Sequence, residues 1–286
     1  MIDRLHPLTI LFYFLYAGMI PAFSRNPFLH GLCLLTGFFM LFTWKEIKDI
    51  LRQIPFYLLF FIIISLFNPF FYHNGNTVLF YMAGRRITLE ALLFGTDSAL
   101  MVMGVLIWFI SLSHYMTGEK VLHLFGRISA KGATIISLVF RLIPHYTQYV
   151  KAYRRHQKLL GLYGDGSFIE SLRAEGHIFA GFLTWALEHS MTTADSMTSR
   201  GYGVTRRRSF SIFSFRTKDA LILLLTFASA GLMITSTCSG ILTTDYYPVI
   251  VLPEMGIYTV LIYLVYIISS VYLTLYSFFK VTLSLS

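Results

Sequence analysis

Charge is what this sequence has least of. Only 13% of its 286 residues are Asp, Glu, Lys or Arg, against about 25% in a soluble domain. Hydrophobic residues reach 56%, which leaves too little polar side-chain surface to face water on every side, so lipid must supply much of the solvent. Cysteine is nearly absent. Cys33 and Cys238 each sit alone in an apolar run, which excludes a disulfide framework and a Cys-based zinc site. The nine histidines include no pair three or four residues apart, so no helix offers a metal clamp. The stretch from Gly126 to Gly132 lacks the glycine–lysine–hydroxyl order of a phosphate cradle, and the chain is not expected to bind ATP in that way. Gly-x-Ser-x-Gly, His-Glu-x-x-His and paired-aspartate motifs are missing too, so no catalytic centre, metal or cofactor is expected.

What is present is apolar sequence in long runs. Six stretches are candidate spans, at approximately 8–23, 27–43, 54–71, 89–112, 218–237 and 255–278. Arg25-Asn26-Pro27 breaks the first pair and Asn68-Pro69 ends the third. Arg4 followed by an apolar run resembles the start of a signal peptide, but His6-Pro7 interrupts it and a second apolar run follows directly. The segment therefore reads as a first membrane helix. The net charge of +9 reads as cytoplasmic loops. With the N-terminus inside, 20 of the 23 Lys and Arg residues lie on the cytoplasmic side, and only Arg25, Arg85 and Arg86 lie outside. The positive-inside rule favours that orientation, with both termini cytoplasmic in a multi-pass cell-membrane protein.

The expected organisation is residues 1–113 as membrane helices one to four, 114–217 as a cytoplasmic helical region, and 218–286 as membrane helices five and six. The middle region is basic and has no strand-like alternation. A short helix starts near Thr117, Glu119 and Lys120, and a long one runs from about Lys131 to Gly161. The next begins with a capping box, Ser167-Phe168-Ile169-Glu170, and ends at Arg200-Gly201. At about 1.5 Å per residue it is about 50 Å long. With five charged residues along it, it should lie beneath the membrane, not cross it. Leu172, Phe179, Phe182, Ala186 and Met197 form its expected apolar stripe. Asp97 is the one carboxylate well inside an apolar stretch. It is a functional-site candidate by default, but it lacks a second acid for a relay and reads as a hydrogen-bonded packing residue. Arg206-Arg207-Arg208 reads as a headgroup anchor.

Ala186-Leu187-Glu188-His189-Ser190 leads into Ala194-Asp195-Ser196-Met197-Thr198-Ser199-Arg200-Gly201-Tyr202-Gly203. This resembles the signature of the T component of energy-coupling factor (ECF) transporters, in which a long amphipathic helix ends in Ala-Arg-Gly. Three further segments are similar in order and spacing, so the likeness covers nearly the whole chain. His6-Pro7-Leu8-Thr9 is similar to the family's N-terminal Asp-Pro-x-Thr. Ile87-Thr88-Leu89-Glu90-Ala91-Leu92 is similar to the opening of its fourth span, and Phe140-Arg141-Leu142-Ile143-Pro144 to its Arg-Phe-Ile-Pro element. The chain departs from the family at the end of the first coupling helix, where Gln157-Lys158-Leu159-Leu160-Gly161 has Leu160 in place of the expected arginine.

The resemblance implies an all-α integral membrane protein of about six membrane helices plus two long amphipathic cytoplasmic coupling helices. It implies a non-catalytic subunit of an ABC-type importer for a vitamin or transition-metal ion. The partners would be two ABC ATPase subunits and a membrane-embedded substrate-binding S component. ATPase contacts would fall to Ser199, Arg200 and Gly201 on the second helix and to Arg155, Lys158 and Gly161 on the first. The stripe Leu172, Phe179, Phe182, Ala186 and Met197 would pack in the core or against the S component. Two other classes fit the composition: a membrane-embedded enzyme using Asp97 or a histidine, and an unrelated transporter subunit or scaffold.

Overall fold

The computed structural model describes residues 5–71, 75–82, 85–161, 168–204, 213–247, 249–253 and 256–285. Among these the chain forms helices α1 (Pro7–Ala22), α2 (Pro27–Leu41) and α3 (Ile47–Phe71), strands β1 (Val78–Met82) and β2 (Arg85–Thr88), then α4 (Leu89–Tyr115). There follow α5 (Gly118–Ile128), α6 (Ala130–Leu159), α7 (Phe168–Ser199), α8 (Thr217–Cys238) and α9 (Ile257–Leu285). The chain divides into two compact units. One comprises Met1–Thr117 with Phe213–Ser286, and the other Gly118–Ile212.

In the first unit three helices are long and apolar enough to cross a membrane: Ile47–Pro69, Leu89–Tyr115 and Thr217–Cys238. Pro7–Ala22, Pro27–Leu41 and Ile257–Tyr272 are apolar but shorter. Local chemistry sets the helix starts. Proline stands at N1 of α1 and α2, where its missing N–H costs nothing. His6 Nδ1 accepts from the Leu8 amide at 3.2 Å, and Asn26 Oδ1 from the Phe28 amide at 3.0 Å. His6 thus fills, by its ring nitrogen, the cap that an aspartate would fill by its carboxylate.

α4 is the centre of this unit, packing on α1, α2 and α3. Small residues make the close approaches. A methyl group on Gly37 would lie 2.9 Å from Ile107, and one on Gly18 2.8 Å from Trp108. A methyl on Gly95 would lie 2.3 Å from the Ser65 carbonyl oxygen of α3. This is how helices associate where lipid removes the hydrophobic drive between them. Trp108 fills the junction. It is fully buried, stands edge-on to Tyr13 and Phe14, and donates its indole N–H to the Cys33 carbonyl at 3.1 Å. Hydroxyls join α1 to α9: Tyr13 donates to the Ser270 carbonyl, Tyr266 donates to the Ala17 carbonyl at 2.8 Å, and Tyr16 bonds Ser269 at 2.7 Å.

The antiparallel pair β1–β2 departs from the all-α expectation. Val78 and Phe80 pair with Thr88 and Ile87 across an irregularity. The hairpin is tied to α4 at its base, where Thr77 donates its amide to Glu90 at 3.1 Å and its carbonyl accepts from the Leu89 amide at 3.0 Å. Thr88 caps α4 through the Ala91 amide. Strands this short carry little alternation.

In the second unit α5 packs on α6, and α6 pairs with α7. The expected bounds of the long helices, about 131–161 and 167–200, agree with the observed ones to within two residues.

The glycine contacts can be tested within one residue type. Gly95→Ala should lower stability by about 1–3 kcal/mol, because a backbone carbonyl cannot move aside cheaply. Gly31, whose Cβ would meet nothing within 4 Å, should tolerate alanine or gain about 1 kcal/mol of helix propensity. Thermal unfolding of the detergent-solubilised variants checks both.

Candidate functional site

The second unit is built on stacked rings. Trp185 of α7 lies flat on Tyr149 of α6, with centroids 3.8 Å apart and planes 7° from parallel. The stack extends along α7 to His189 (5.2 Å from Trp185) and along α6 to His145 (5.4 Å from His189) and Tyr153 (6.0 Å from Tyr149). Tyr146 meets Phe182 edge-on at 5.5 Å. Gly181 makes room for Tyr153, since a methyl there would lie 2.8 Å from the phenol oxygen. Beyond the stack Arg154 Nη2 pairs with Glu175 Oε2 at 2.7 Å. Both ends of that pair are more than a third exposed, so it contributes at most about 1 kcal/mol. The stacked aromatics, each pair worth about 0.5–1.5 kcal/mol beyond area burial, hold the helices together.

The pairing runs antiparallel: His145 meets His189, Tyr149 meets Trp185, and Tyr153 meets Gly181. The C-terminus of α7 therefore lies at the opposite end of the pair from the C-terminus of α6. α7 has 32 residues, so it is about 48 Å long.

Both C-termini end at a left-handed glycine. α7 ends at Ser199, Arg200 is the last half-helical residue, and Gly201 takes φ +78°. The Gly201 amide donates to the Thr198 carbonyl at 2.9 Å and the Tyr202 amide to the Met197 carbonyl at 3.0 Å, a Schellman closure that needs a left-handed residue at glycine's position. α6 ends at Leu159 with Leu160 as its cap, Gly161 takes φ +68°, and the Gly161 amide donates to the Lys158 carbonyl at 3.1 Å. Leu160 and Arg200 thus occupy the same position at the two ends. Both are exposed, and Arg200 offers a charged planar fork where its helix's last carbonyls attract a cation.

The other expected site residues fall around this frame. Arg155, Lys158 and Gly161 are exposed at the end of α6, and Ser199, Arg200 and Gly201 at the end of α7. Ser199 Oγ donates back to the Asp195 carbonyl at 2.8 Å. The expected stripe on α7 is not the face that meets α6. That face is Ala174, Ile178, Gly181, Trp185 and His189, rotated by about one residue position from the stripe. Phe182 contacts Tyr146 at its edge, Ala186 and Met197 are half-buried, and Leu172 and Phe179 are exposed. The pairing face uses a glycine for close approach and a histidine as a flat ring, and neither scores as apolar. Exposed Phe168, Leu172, Phe179, Leu183, Leu187 and Met191 continue along α7 as a second apolar stripe. The expected capping serine, Ser167, and the basic run Arg206–Arg208 lie outside the described residues.

Asp97 has a partner that sequence spacing did not reveal. Its Oδ1 lies 2.6 Å from His30 Nδ1, and both side chains are buried, 7% and 3% exposed. His30 Nε2 faces the Ser24 carbonyl at 3.1 Å, which only accepts, so Nε2 carries a hydrogen. Tyr246, buried in the connection after α8, lies beside the pair. Burial first, and then the Asp97 carboxylate, raise its phenol above its ordinary pKa. The pair ties α2 to α4.

A second buried carboxylate lies at the opposite helix ends. Asp219 accepts from the His6 amide at 3.0 Å and the Arg216 amide at 2.9 Å, joining the start of α1 to the start of α8. Among the described residues no group of His, Cys, Asp and Glu side chains is arranged to hold a metal ion. Compared with family models and with curated proteins, the chain matches neither. What the geometry defines is a helical chain with three helices long and apolar enough to cross a membrane, and an antiparallel helix pair with two similarly capped, exposed ends.

Substitutions at Trp185, His30 and Asp97 test these contacts. Trp185→Ala should weaken the α6–α7 pairing roughly fivefold, the effect of about 1 kcal/mol. The readout is disulfide formation between cysteines replacing Arg154 and Glu175 on a background lacking Cys33 and Cys238, and Trp185→Phe should retain most of it. His30→Ala should cost about 3–5 kcal/mol by leaving Asp97 buried alone, whereas the His30→Leu/Asp97→Leu pair should cost less than His30→Ala. Thermal unfolding of the single and double variants reads the difference.

Proposed function

We propose that the chain is the transmembrane coupling subunit of an energy-coupling-factor importer, converting movements of two ATPase subunits into reorientation of a membrane-embedded substrate-binding S component. The observation that carries this reading is the pair of glycine-closed helix ends, set apart at the two ends of the antiparallel α6–α7 pair. Two separated contact points on one stacked frame suit a part that two ATPases push or pull together. A rigid frame passes on displacement, where a flexible one would absorb it.

On this reading six helices cross the membrane: α1, α2, α3, α4, α8 and α9. Both termini and the α5–α7 arm are cytoplasmic, which the 20-to-3 distribution of basic residues supports. The helices α1 and α2, of 16 and 15 residues, span where the bilayer thins or their flanks complete the crossing. The exposed stripe Phe168, Leu172, Phe179, Leu183, Leu187 and Met191 is the surface for the S component. The cargo, a vitamin or a transition-metal ion, is bound by that component, and ATP by the ATPases. This chain supplies no catalytic group.

Arg200→Glu should abolish substrate uptake while the protein still inserts in the membrane. In an acidic ATPase groove, loss of one partner of a desolvated pair costs about 2–5 kcal/mol, and reversal costs more. The opposed helix dipole adds at most about 1 kcal/mol. Lys158→Glu should be milder, because α6 presents Leu160 where α7 presents Arg200. Uptake by cells expressing each variant, with ATPase co-purification, separates the outcomes. Wild-type uptake with Arg200→Glu would defeat the assignment.

A further inference from the structure

At one end of α3 the sequence changes from polar to apolar within two turns. Lys48, Asp49, Arg52 and Gln53 give way to the run Ile54–Phe67, broken by no charge. Asp49, Arg52, Gln53, Phe56 and Tyr57 recur at helical spacing and share one face of α3. Together with Lys45, from the turn before the helix, and with α4 behind, they line an open cleft of about 570 Å³.

The cleft's polar groups are mostly donors. Lys45 Nζ donates to Gln53 Oε1 at 2.7 Å, and the Tyr57 hydroxyl donates to the same oxygen at 3.1 Å. Both bonds fall on the oxygen of Gln53, which leaves its amide NH2 as a further donor. Lys45 also sits 5.0 Å over the Trp44 ring. Among the described residues neither Lys45 nor Arg52 forms an ion pair. One carboxylate, Asp49, shares the cleft, so the site is not uniformly positive. It suits a ligand that combines an anion with a hydroxyl.

Above the cleft the same helix continues as an exposed apolar ridge. Phe56 is stacked on Phe60, 6.4 Å apart, and Ile63 and Phe67 follow one turn after another, exposed. The cleft therefore lies where an apolar span meets its polar end, beside Trp44 and Tyr57, aromatics of the kind enriched at headgroup depth.

We propose that this cleft binds an anionic glycerophospholipid. The phosphate lies between Lys45 and Arg52, a headgroup hydroxyl donates to Asp49, and one acyl chain runs along Phe56, Phe60, Ile63 and Phe67. Basic pockets between membrane helices take anionic headgroups by this chemistry. The phosphate of a lipid and free phosphate offer the same oxygens. The apolar ridge rising directly from the cleft assigns the source to lipid. The inference rests on α3 crossing a membrane and is independent of the coupling role.

The test is native mass spectrometry of the full-length purified chain, released from nanodiscs containing equal amounts of phosphatidylglycerol and phosphatidylcholine. Wild type should retain phosphatidylglycerol in preference. Lys45→Gln/Arg52→Gln should retain it roughly thirtyfold less, the effect of losing two basic contacts near a membrane surface. The charge-conserving Lys45→Arg/Arg52→Lys should keep the preference, as should Lys218→Gln, which removes a basic residue at the start of α8. Excess inorganic phosphate should leave the lipid in place. Equal retention of the two lipids by wild type would overturn the proposal, and displacement by inorganic phosphate would overturn the lipid source. Undiminished retention by a folded glutamine variant would overturn the roles of Lys45 and Arg52. Should that variant fail to fold, the wild-type preference and the charge-conserving pair decide.

Discussion

The approach of neighbouring backbones to α4 is the constraint on which the first unit depends. Gly18, Gly37 and Gly95 are small because Trp108, Ile107 and the Ser65 carbonyl occupy the space a side chain would need. Once the helices are this close, the buried polar groups fall within reach of partners. Trp108 reaches the Cys33 carbonyl, Tyr266 reaches the Ala17 carbonyl, and His30 reaches Asp97. In lipid such groups have no water to fall back on. Packing and polar satisfaction are therefore one requirement here: a bulkier residue at the crossings would separate the helices and leave donors and acceptors unpaired.

The second unit solves a different problem. Its helices expose much of their surface, so they cannot rely on a deep core. Flat rings at Tyr149, Trp185, His145 and His189 give a large contact from few residues, and the aromatic side chains lose little freedom when they stack. The frame they build keeps two helix ends apart and leaves both exposed. Each end carries a left-handed glycine, but they place different side chains, Leu160 against Arg200, at the cap. In the proposed function that difference makes the α7 end the one that depends on charge.

Much of this was legible in the sequence, and the losses have identifiable causes. The apolar runs and Pro, Asn and Gly punctuation located the helices because those signals are local. Arg200-Gly201 and Leu160-Gly161 marked helix ends for the same reason, since only a left-handed residue closes them without strain. The face of α7 that meets α6 carried no apolar signal in the sequence, because Gly181 and His189 contribute by size and planarity. His30 and Asp97 are 67 residues apart, and no periodicity links them. Asp219 stands in the first turn of α8, as many helix-start acids do, and nothing local points to its bond with His6, 213 residues away. The β1–β2 hairpin was too short to alternate visibly.

The central claim is that the two ends of the α6–α7 pair are held by two ATPases at once. Single cysteines in place of Leu160 and Arg200, on a cysteine-free chain within the assembled transporter, would be crosslinked in turn by a short bifunctional reagent, and the products identified by mass. The account predicts that each position captures a P-loop ATPase and that a chain carrying both cysteines captures two. Capture of a single ATPase by the double-cysteine chain, or of none at position 200, would contradict it.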